Sequence, residues 1–215
     1  MKKNPYGHVS KCQICNNKEL VEILDFGHQP IVQNYRTKNQ LHEEEVTYPL
    51  CLVRCEKCEL LQLNYIVDPK LVFPPHYPYR TGLTNMLIRN FESLAENMKA
   101  AGQYTDGDLV VDIGSNDGTL LESFRKRGSK VVGVEPTRAA RVANKNKIKT
   151  YEEFFDMKSA KKIVQKHGKA TVVTATNVFA HIDDTPRLIR AIKALMAKDG
   201  VFVSESQYLA DIVKK

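Results

Sequence analysis

The chain has 215 residues, with 32 Lys plus Arg against 25 Asp plus Glu and a net charge of +7. Its 42% hydrophobic and 27% charged residues are those of a globular protein, which excludes collagen-like, disordered and coiled-coil chains and allows one large domain or a small one beside a medium one. No apolar run nears the roughly 20 residues of a membrane span, and the polar residues 1–10 lack the apolar core of a secretory signal, so the cytoplasm is the default expectation.

Residues 1–68 read as a small module of short strands, such as 21–24 and 60–65, between polar or Pro-containing stretches. Its chemistry lies in Cys12-Gln-Ile-Cys15 and Cys55-Glu-Lys-Cys58, which are separated by 39 residues. Each CxxC brings two thiolates onto one tight turn, and two such turns supply the four soft ligands of a tetrahedral structural zinc. An odd total of five cysteines in close pairs disfavours a disulfide framework. Reduced, metal-free cysteines and a redox CxxC are the alternatives. A closed four-thiolate site leaves no open position for water, so the metal is expected to hold the fold rather than to catalyse. Cys51 is the spare thiol and is expected to pack rather than ligate.

Residues 67–82, with four prolines and three aromatic rings, predict an extended connector, because proline fixes its own φ and restricts its predecessor. The connector and a following amphipathic helix fill 69–101; Met86, Leu87, Phe91, Leu94, Ala95 and Met98 recur there at helical spacing over 84–101. From 102 to 215 the pattern alternates. Strands are predicted at 109–113, 130–134, 171–176 and 200–205, and helices at 120–126, 138–145, 158–166 and 186–196. Such βαβ repetition predicts an α/β fold with a parallel sheet covered on both faces.

Ligands of a doubly wound sheet bind at the carboxyl ends of its strands. Leu109-Val-Val-Asp112-Ile-Gly114-Ser-Asn-Asp-Gly118 places a glycine turn at that end of the first strand, with Gly114 allowing close approach and Gly118 tight entry into a helix. An acid at Asp112 would repel a pyrophosphate but suits the ammonium and sulfonium of S-adenosylmethionine. Glu135 ends the next strand, 23 residues on, where a carboxylate can accept from both ribose hydroxyls. Phe154 and Phe155 stand where an adenine ring could stack, with a plain core role for one of them the alternative. Asn177 follows the strand 171–176 on the same face.

The basic surplus is local: residues 1–80 carry ten basic and nine acidic side chains, residues 121–170 fourteen and five. Solvated helix faces account for it better than a nucleic-acid surface does.

Taken together, the two CxxC pairs, FPPHYPYRTG, VDIGSNDGTLL, VEPT and NVFAHIDD resemble the deoxysugar C-methyltransferases that act on nucleotide-linked 4-keto sugars, as does Gly27-His-Gln-Pro30-Ile-Val-Gln-Asn34. The resemblance implies a Rossmann-like methyltransferase domain behind a zinc-binding module, and carbon alkylation beside a ketone. A proton α to the carbonyl is removed, an enolate forms, and its carbon attacks the sulfonium methyl. Tyr77 and Tyr79 match the family's connector tyrosines, which can bond the enolate oxygen, and His181 matches its active-site histidine.

Family members continue past the fifth strand into a tyrosine, glutamate and histidine cluster and a second Rossmann-like domain that holds the sugar nucleotide. That cluster is where the family's base pair lies, so the chain is expected to lack the group that takes the α proton and reads as an N-terminal portion that binds cofactor but is poorly active alone, supplying five of seven sheet strands or six with 148–151. Strand 200–205 is expected to be an uncovered edge, apolar on both faces, that invites a second polypeptide, and Ile212 and Val213 to end a helix with nothing to pack on. Two other readings are an rRNA or tRNA methyltransferase with a zinc module, disfavoured by the module's charge balance, and a non-catalytic cofactor-binding subunit or remnant.

Overall fold

The structure, a computed structural model, describes residues 6–214. The side chains of Ile212 and Val213, and residues 1–5, lie outside the described residues. The chain divides into two compact units, Met1–Pro74 and Pro75–Lys215, with the boundary inside the proline-rich connector.

In the first unit β1 (Gly7–His8) pairs antiparallel with β5 (Tyr65–Ile66), while β2 (Leu20–Pro30), β3 (Thr47–Cys55) and β4 (Leu61–Leu63) form an antiparallel sheet in the order β2-β3-β4. β2 is longer than the expected piece 21–24, the expected strand 60–65 divides into the shorter β4 and β5, and β3 was not expected at all. Its Pro49 and interleaved charge argue against a central strand, yet Pro49 falls near the β2–β3 hairpin end, opposite His28. The buried side chains of β3 are Cys51, Val53 and Cys55, and β2 is exposed along almost its whole length. The connector is not uniformly extended. Asp68 caps a short helix α1 (Pro69–Val72), its Oδ1 accepting from the Lys70 amide at 2.9 Å, and Pro69 is tolerated because a first-turn residue needs no amide donor.

The second unit opens with α2 (Asn85–Ala100). There follow β6 (Leu109–Ile113), α3 (Thr119–Arg125), β7 (Lys130–Val134), α4 (Ala139–Lys145), β8 (Thr150–Tyr151), α5 (Met157–His167), β9 (Ala170–Thr176), α6 (Thr185–Leu195), β10 (Met196–Glu205) and α7 (Leu209–Lys214). The sheet is parallel, in the order β10-β9-β6-β7-β8. It has five strands among the described residues, with Thr150–Tyr151 already counted. All five residues of β6 are buried, which is why the central strand reads as an unbroken apolar run interrupted by one acid.

Alternate residues of β6 feed two cores. Leu109, Val111 and Ile113 pack with Ala160 and Ile163 of α5 and Leu188, Ile192 and Leu195 of α6. Val110 packs with Phe91 and Ala95 of α2 and Leu120, Leu121 and Phe124 of α3. At the sheet edge, Phe202 of β10 packs on the first core and Val203 on the second, so the apolar pattern of this strand serves both faces. The basic surplus is partly paired on these helices, Arg125 with Glu122, Arg127 with Glu96, Arg141 with Glu152 and Lys162 with Glu153.

Buried Tyr104 ties α2 to this core. Its hydroxyl donates to the Ala95 carbonyl at 2.7 Å and its ring meets Phe124 edge-on. Tyr104→Phe keeps the ring and loses the bond, so an urea titration should show a loss of about 1 kcal/mol; an unchanged midpoint would remove the bond from the account.

Candidate functional site

The four CxxC sulfurs converge. Cys12, Cys15, Cys55 and Cys58 place all their Sγ atoms within 4.8 Å of one another, with Cys12 to Cys58 and Cys15 to Cys55 at 3.5 Å. Both distances exceed a disulfide bond of about 2.05 Å and approach the roughly 3.8 Å edge of a tetrahedron built on Zn–S bonds of about 2.3 Å.

Both knuckles are built on one local frame. Cys12 N donates to Asn17 O and Asn16 N to Cys12 O, while Cys55 N donates to Leu60 O and Glu59 N to Cys55 O. The residue after each second cysteine, Asn16 or Glu59, takes the left-handed conformation at φ 61°. Burial raises the cost of ionising Cys55, but amide bonds from Cys58 and Lys57, together with the neighbouring thiols of Cys15 and Cys58, outweigh it and bring the thiol down to about 6. Gln62, which the sequence did not mark, braces the first knuckle: its Oε1 accepts from Gln13 N at 2.9 Å and its Nε2 donates to Lys11 O. Cys51 is buried away from the cluster, its thiol pushed up by burial and by Glu22 and Asp25.

In the second unit the strand order reverses between β6 and β9: the chain runs from β6 outward to β8, then returns to lay β9 on β6's other side. A crevice for a ligand is expected at the carboxyl ends on either side of such a switch. Asp112 and Gly114, Glu135, Asn177 and Glu205 all lie at those ends.

Gly114 (φ 71°) follows β6, and a Cβ there would stand 2.3 Å from Val178 Cγ2. Gly118 (φ 84°) would drive a Cβ to 2.9 Å from Ile148 Cδ1, so it serves close packing at the start of α3. Asp112 is buried, and its Oδ1 accepts from Thr174 Oγ1 at 2.7 Å. Burial first, and the charge of Glu135 in addition, push its carboxyl up to about 7 against the pull of the Thr174 hydroxyl. Glu135 is also buried, with Oε2 accepting from Asn116 N at 3.0 Å and Oε1 from Thr137 N at 2.9 Å.

The bonded partners of these two buried acids are a hydroxyl and two amides, all neutral, so no cation of the protein bonds either acid, and the charge Asp112 carries once ionised is left for a ligand to balance. The donor set fits a molecule with hydroxyls and positive charge, and does not fit a pyrophosphate.

Of the aromatic pair, Phe155 packs against the sheet core and Phe154 is the exposed ring. Asn177 adopts φ 54°, donates its amide to Glu205 O at 2.7 Å, and reaches Glu205 Oε1 with Nδ2 at 3.0 Å. Asn90 of α2 meets Glu205 Oε2 at 3.1 Å. The sequence marked neither Glu205 nor Asn90, because their pairing spans 115 positions. His181 ends a 3₁₀ turn, Phe179–His181, with its ring held below the usual imidazole value by desolvation. Tyr77 and Tyr79 lie in the connector; Tyr79 is exposed and its carbonyl accepts from Asn116 Nδ2.

Fold and site define a zinc-containing α/β protein of the kind that seats a nucleoside cofactor on its strand ends. Residues 12–73 match a family model described as a putative zinc binding domain, and residues 86–213 match one described as a methyltransferase domain. The chain belongs to this methyltransferase-domain family, whose methyl donor is S-adenosylmethionine.

Similar proteins include the C-methyltransferase NovU of Streptomyces niveus, 33% identical over 207 residues, covering 96% of this chain and 49% of NovU. A ubiquinone biosynthesis O-methyltransferase of Cupriavidus pinatubonensis is 33% identical over 105 residues, covering 46% of this chain and 41% of that protein. Among solved structures, the plantazolicin methyltransferase BpumL with a pentazolic desmethylPZN analog and SAH overlays 58% of this chain and 48% of its own, at 18% identity and TM-score 0.47. The chain thus spans about half the length, or less, of the curated relatives it matches. Among the described residues no helix is long and apolar enough to cross a membrane.

Proposed function

We propose that this chain binds S-adenosylmethionine for transfer of a methyl group to carbon in a nucleotide-linked keto sugar, through an enolate. The observation that carries this reading is the match to a C-methyltransferase along nearly the whole chain, through zinc module, connector and cofactor domain alike.

Bound in the crevice, S-adenosylmethionine supplies an electrophilic methyl group on its sulfonium. Asp112, once ionised, balances positive charge on the methionine part. Each Glu135 oxygen accepts one backbone amide and keeps a lone pair for a ribose hydroxyl. Gly114 and Gly118 give the turn its shape, Asn177 closes the neighbouring strand end, and Phe155, or the exposed ring of Phe154, would offer an apolar surface for the adenine. The phenols of Tyr77 and Tyr79 would donate to the oxygen of the developing enolate, and His181 would face the methyl donor.

The test is transfer of labelled methyl from S-adenosylmethionine to a nucleotide-linked 4-keto deoxysugar by this chain with the remaining half of a C-methyltransferase relative supplied in trans, since the chain covers 49% of NovU, and with the product's linkage assigned by NMR. A new carbon–carbon bond next to the ketone is expected; a methyl ether, or label on RNA instead, would overturn the reading.

A further inference from the structure

The connector and the glycine turn are bonded to each other at three points within the second unit. Asn116 Oδ1 accepts from Thr81 N at 3.1 Å and Asn116 Nδ2 donates to Tyr79 O at 3.1 Å. Asp117 Oδ2 accepts from Gly82 N at 2.9 Å, while its Oδ1 is held by the Thr119 hydroxyl at 2.6 Å. At the connector's other end Pro75 O accepts from Arg138 N at 2.8 Å. Tyr77 lies on the span between these anchors, and Tyr79 is itself one of them.

The same two turns are joined by Glu135, whose carboxylate takes Asn116 N from the turn after β6 and Thr137 N from the turn after β7. Asn116 pays for its place with a left-handed backbone, φ 48°. The contact at Gly82 is close as well, since a Cβ there would meet Thr119 Oγ1 at 2.9 Å and Asp117 Oδ2 at 3.0 Å. An asparagine three of whose side-chain bonds go to Tyr79, Thr81 and Asp117 is arranged to hold a segment rather than to shape a turn alone.

We infer that Asn116 and Asp117 are positioning residues that clamp the aromatic connector to the cofactor turn, so that a ligand seated against Glu135 also fixes the segment carrying Tyr77 and Tyr79. This deepens the proposed function and rests on it. The clamp makes the cofactor the first ligand to order the substrate's side of the site. Ordering the turn removes freedom from the connector in the same step, because both hang on one set of bonds.

Amide hydrogen exchange at Thr81 and Gly82, with and without S-adenosylhomocysteine, tests the clamp. Asn116→Gly is the informative variant, because glycine keeps the left-handed backbone and deletes only the side-chain bonds. Gly82→Ala disturbs the same contact from the connector side.

In the parent, both amides should be protected and S-adenosylhomocysteine should slow them further. In Asn116→Gly the Thr81 amide should exchange about fivefold to tenfold faster, and its response to S-adenosylhomocysteine should vanish. Calorimetric affinity for S-adenosylhomocysteine should stay within about threefold, because the Glu135 carboxylate and the backbone amide of residue 116 remain. A structural role alone would not abolish the ligand's effect at a distant amide while leaving its affinity intact. Unchanged Thr81 exchange in Asn116→Gly, or parent protein that binds S-adenosylhomocysteine without slowing these amides, would overturn the clamp and leave the methyl-donor reading standing. Parent protein that binds none would overturn that reading, while the exchange difference between the free proteins would still decide whether Asn116 holds the connector.

Discussion

Cys55→Ser should strip the zinc and unfold the first unit while the second keeps its own transition. The first unit has little else to hold it. Its buried apolar side chains among the described residues are Cys12, Cys51, Val53 and Cys55, three of them sulfur-bearing and two of them ligands, whereas Val21, Ile23, Leu24, Phe26, Val32, Tyr35 and Leu41 are exposed. A hydrophobic core of that size falls well short of the ordering entropy of some seventy residues. Structural zinc contributes an apparent ~10–16 kcal/mol in small domains, enough to decide between folded and unfolded. Metal analysis of Cys55→Ser should therefore return well under one zinc per chain, with loss of exchange protection across β2 and β3. Cys51→Ser is the control, since Cys51 is buried outside the cluster, and it should keep the metal. A Cys55→Ser protein that retained full zinc and the parent's melting would mean the four sulfurs are not its ligands.

Glu135→Ala should weaken calorimetric binding of S-adenosylmethionine on the order of 10²-fold or more, because both ribose hydroxyls lose a charged acceptor worth about 1.5–3 kcal/mol each, whereas the orphaned amides Asn116 N and Thr137 N cost the free and the bound protein alike. Asp112 adds a pH signature. Its carboxyl titrates near 7 when folded, above its ordinary 3.8. A raised acid makes the native state hold more protons than the unfolded one, so its contribution to stability is full below the unfolded value, falls as pH rises through this window, and levels off above about 7.

Binding of a sulfonium has the opposite sign. Only ionised Asp112 attracts it, so affinity should climb from about pH 6 to about pH 8 with release of a proton. Calorimetry in buffers of different ionisation enthalpy would detect that proton, and Asp112→Asn should flatten both profiles. An affinity for S-adenosylmethionine that is level across this range would place Asp112 out of reach of the ligand's charge.

What the sequence disclosed and what it withheld divide along physical lines. The CxxC turns, the strand and glycine turn at 109–118 and Glu135 are local patterns, set within a few residues, and the structure places them together at a metal cluster and at the strand ends. β3 was illegible because its neighbours, not its own alternation, make it a strand: it is central, between an exposed β2 and a three-residue β4. The α1 turn was hidden by proline, which forbids a helix interior but favours a helix start. Asn177 was legible from its place at a strand end, but Gln62, Asn116 and the bonds of Asn90 and Asn177 to Glu205 could not be read, since each acts through a partner tens of positions away and a lone amide in a sequence carries no mark of its partner.

Six non-glycine residues among those described have left-handed backbone, and four of them, Asn16, Glu59, Asn116 and Asn177, sit at the metal knuckles or at the strand ends of the crevice. That geometry governs how the sequence is free to drift. Asparagine and glycine interchange there at small cost, while valine, isoleucine and threonine are shut out by their branched β-carbons, whatever their polarity. At Asn16 and Glu59 selection acts on the backbone angle before it acts on the side chain, whereas at Asn116 and Asn177 it acts on both, because their side chains also carry bonds to distant segments.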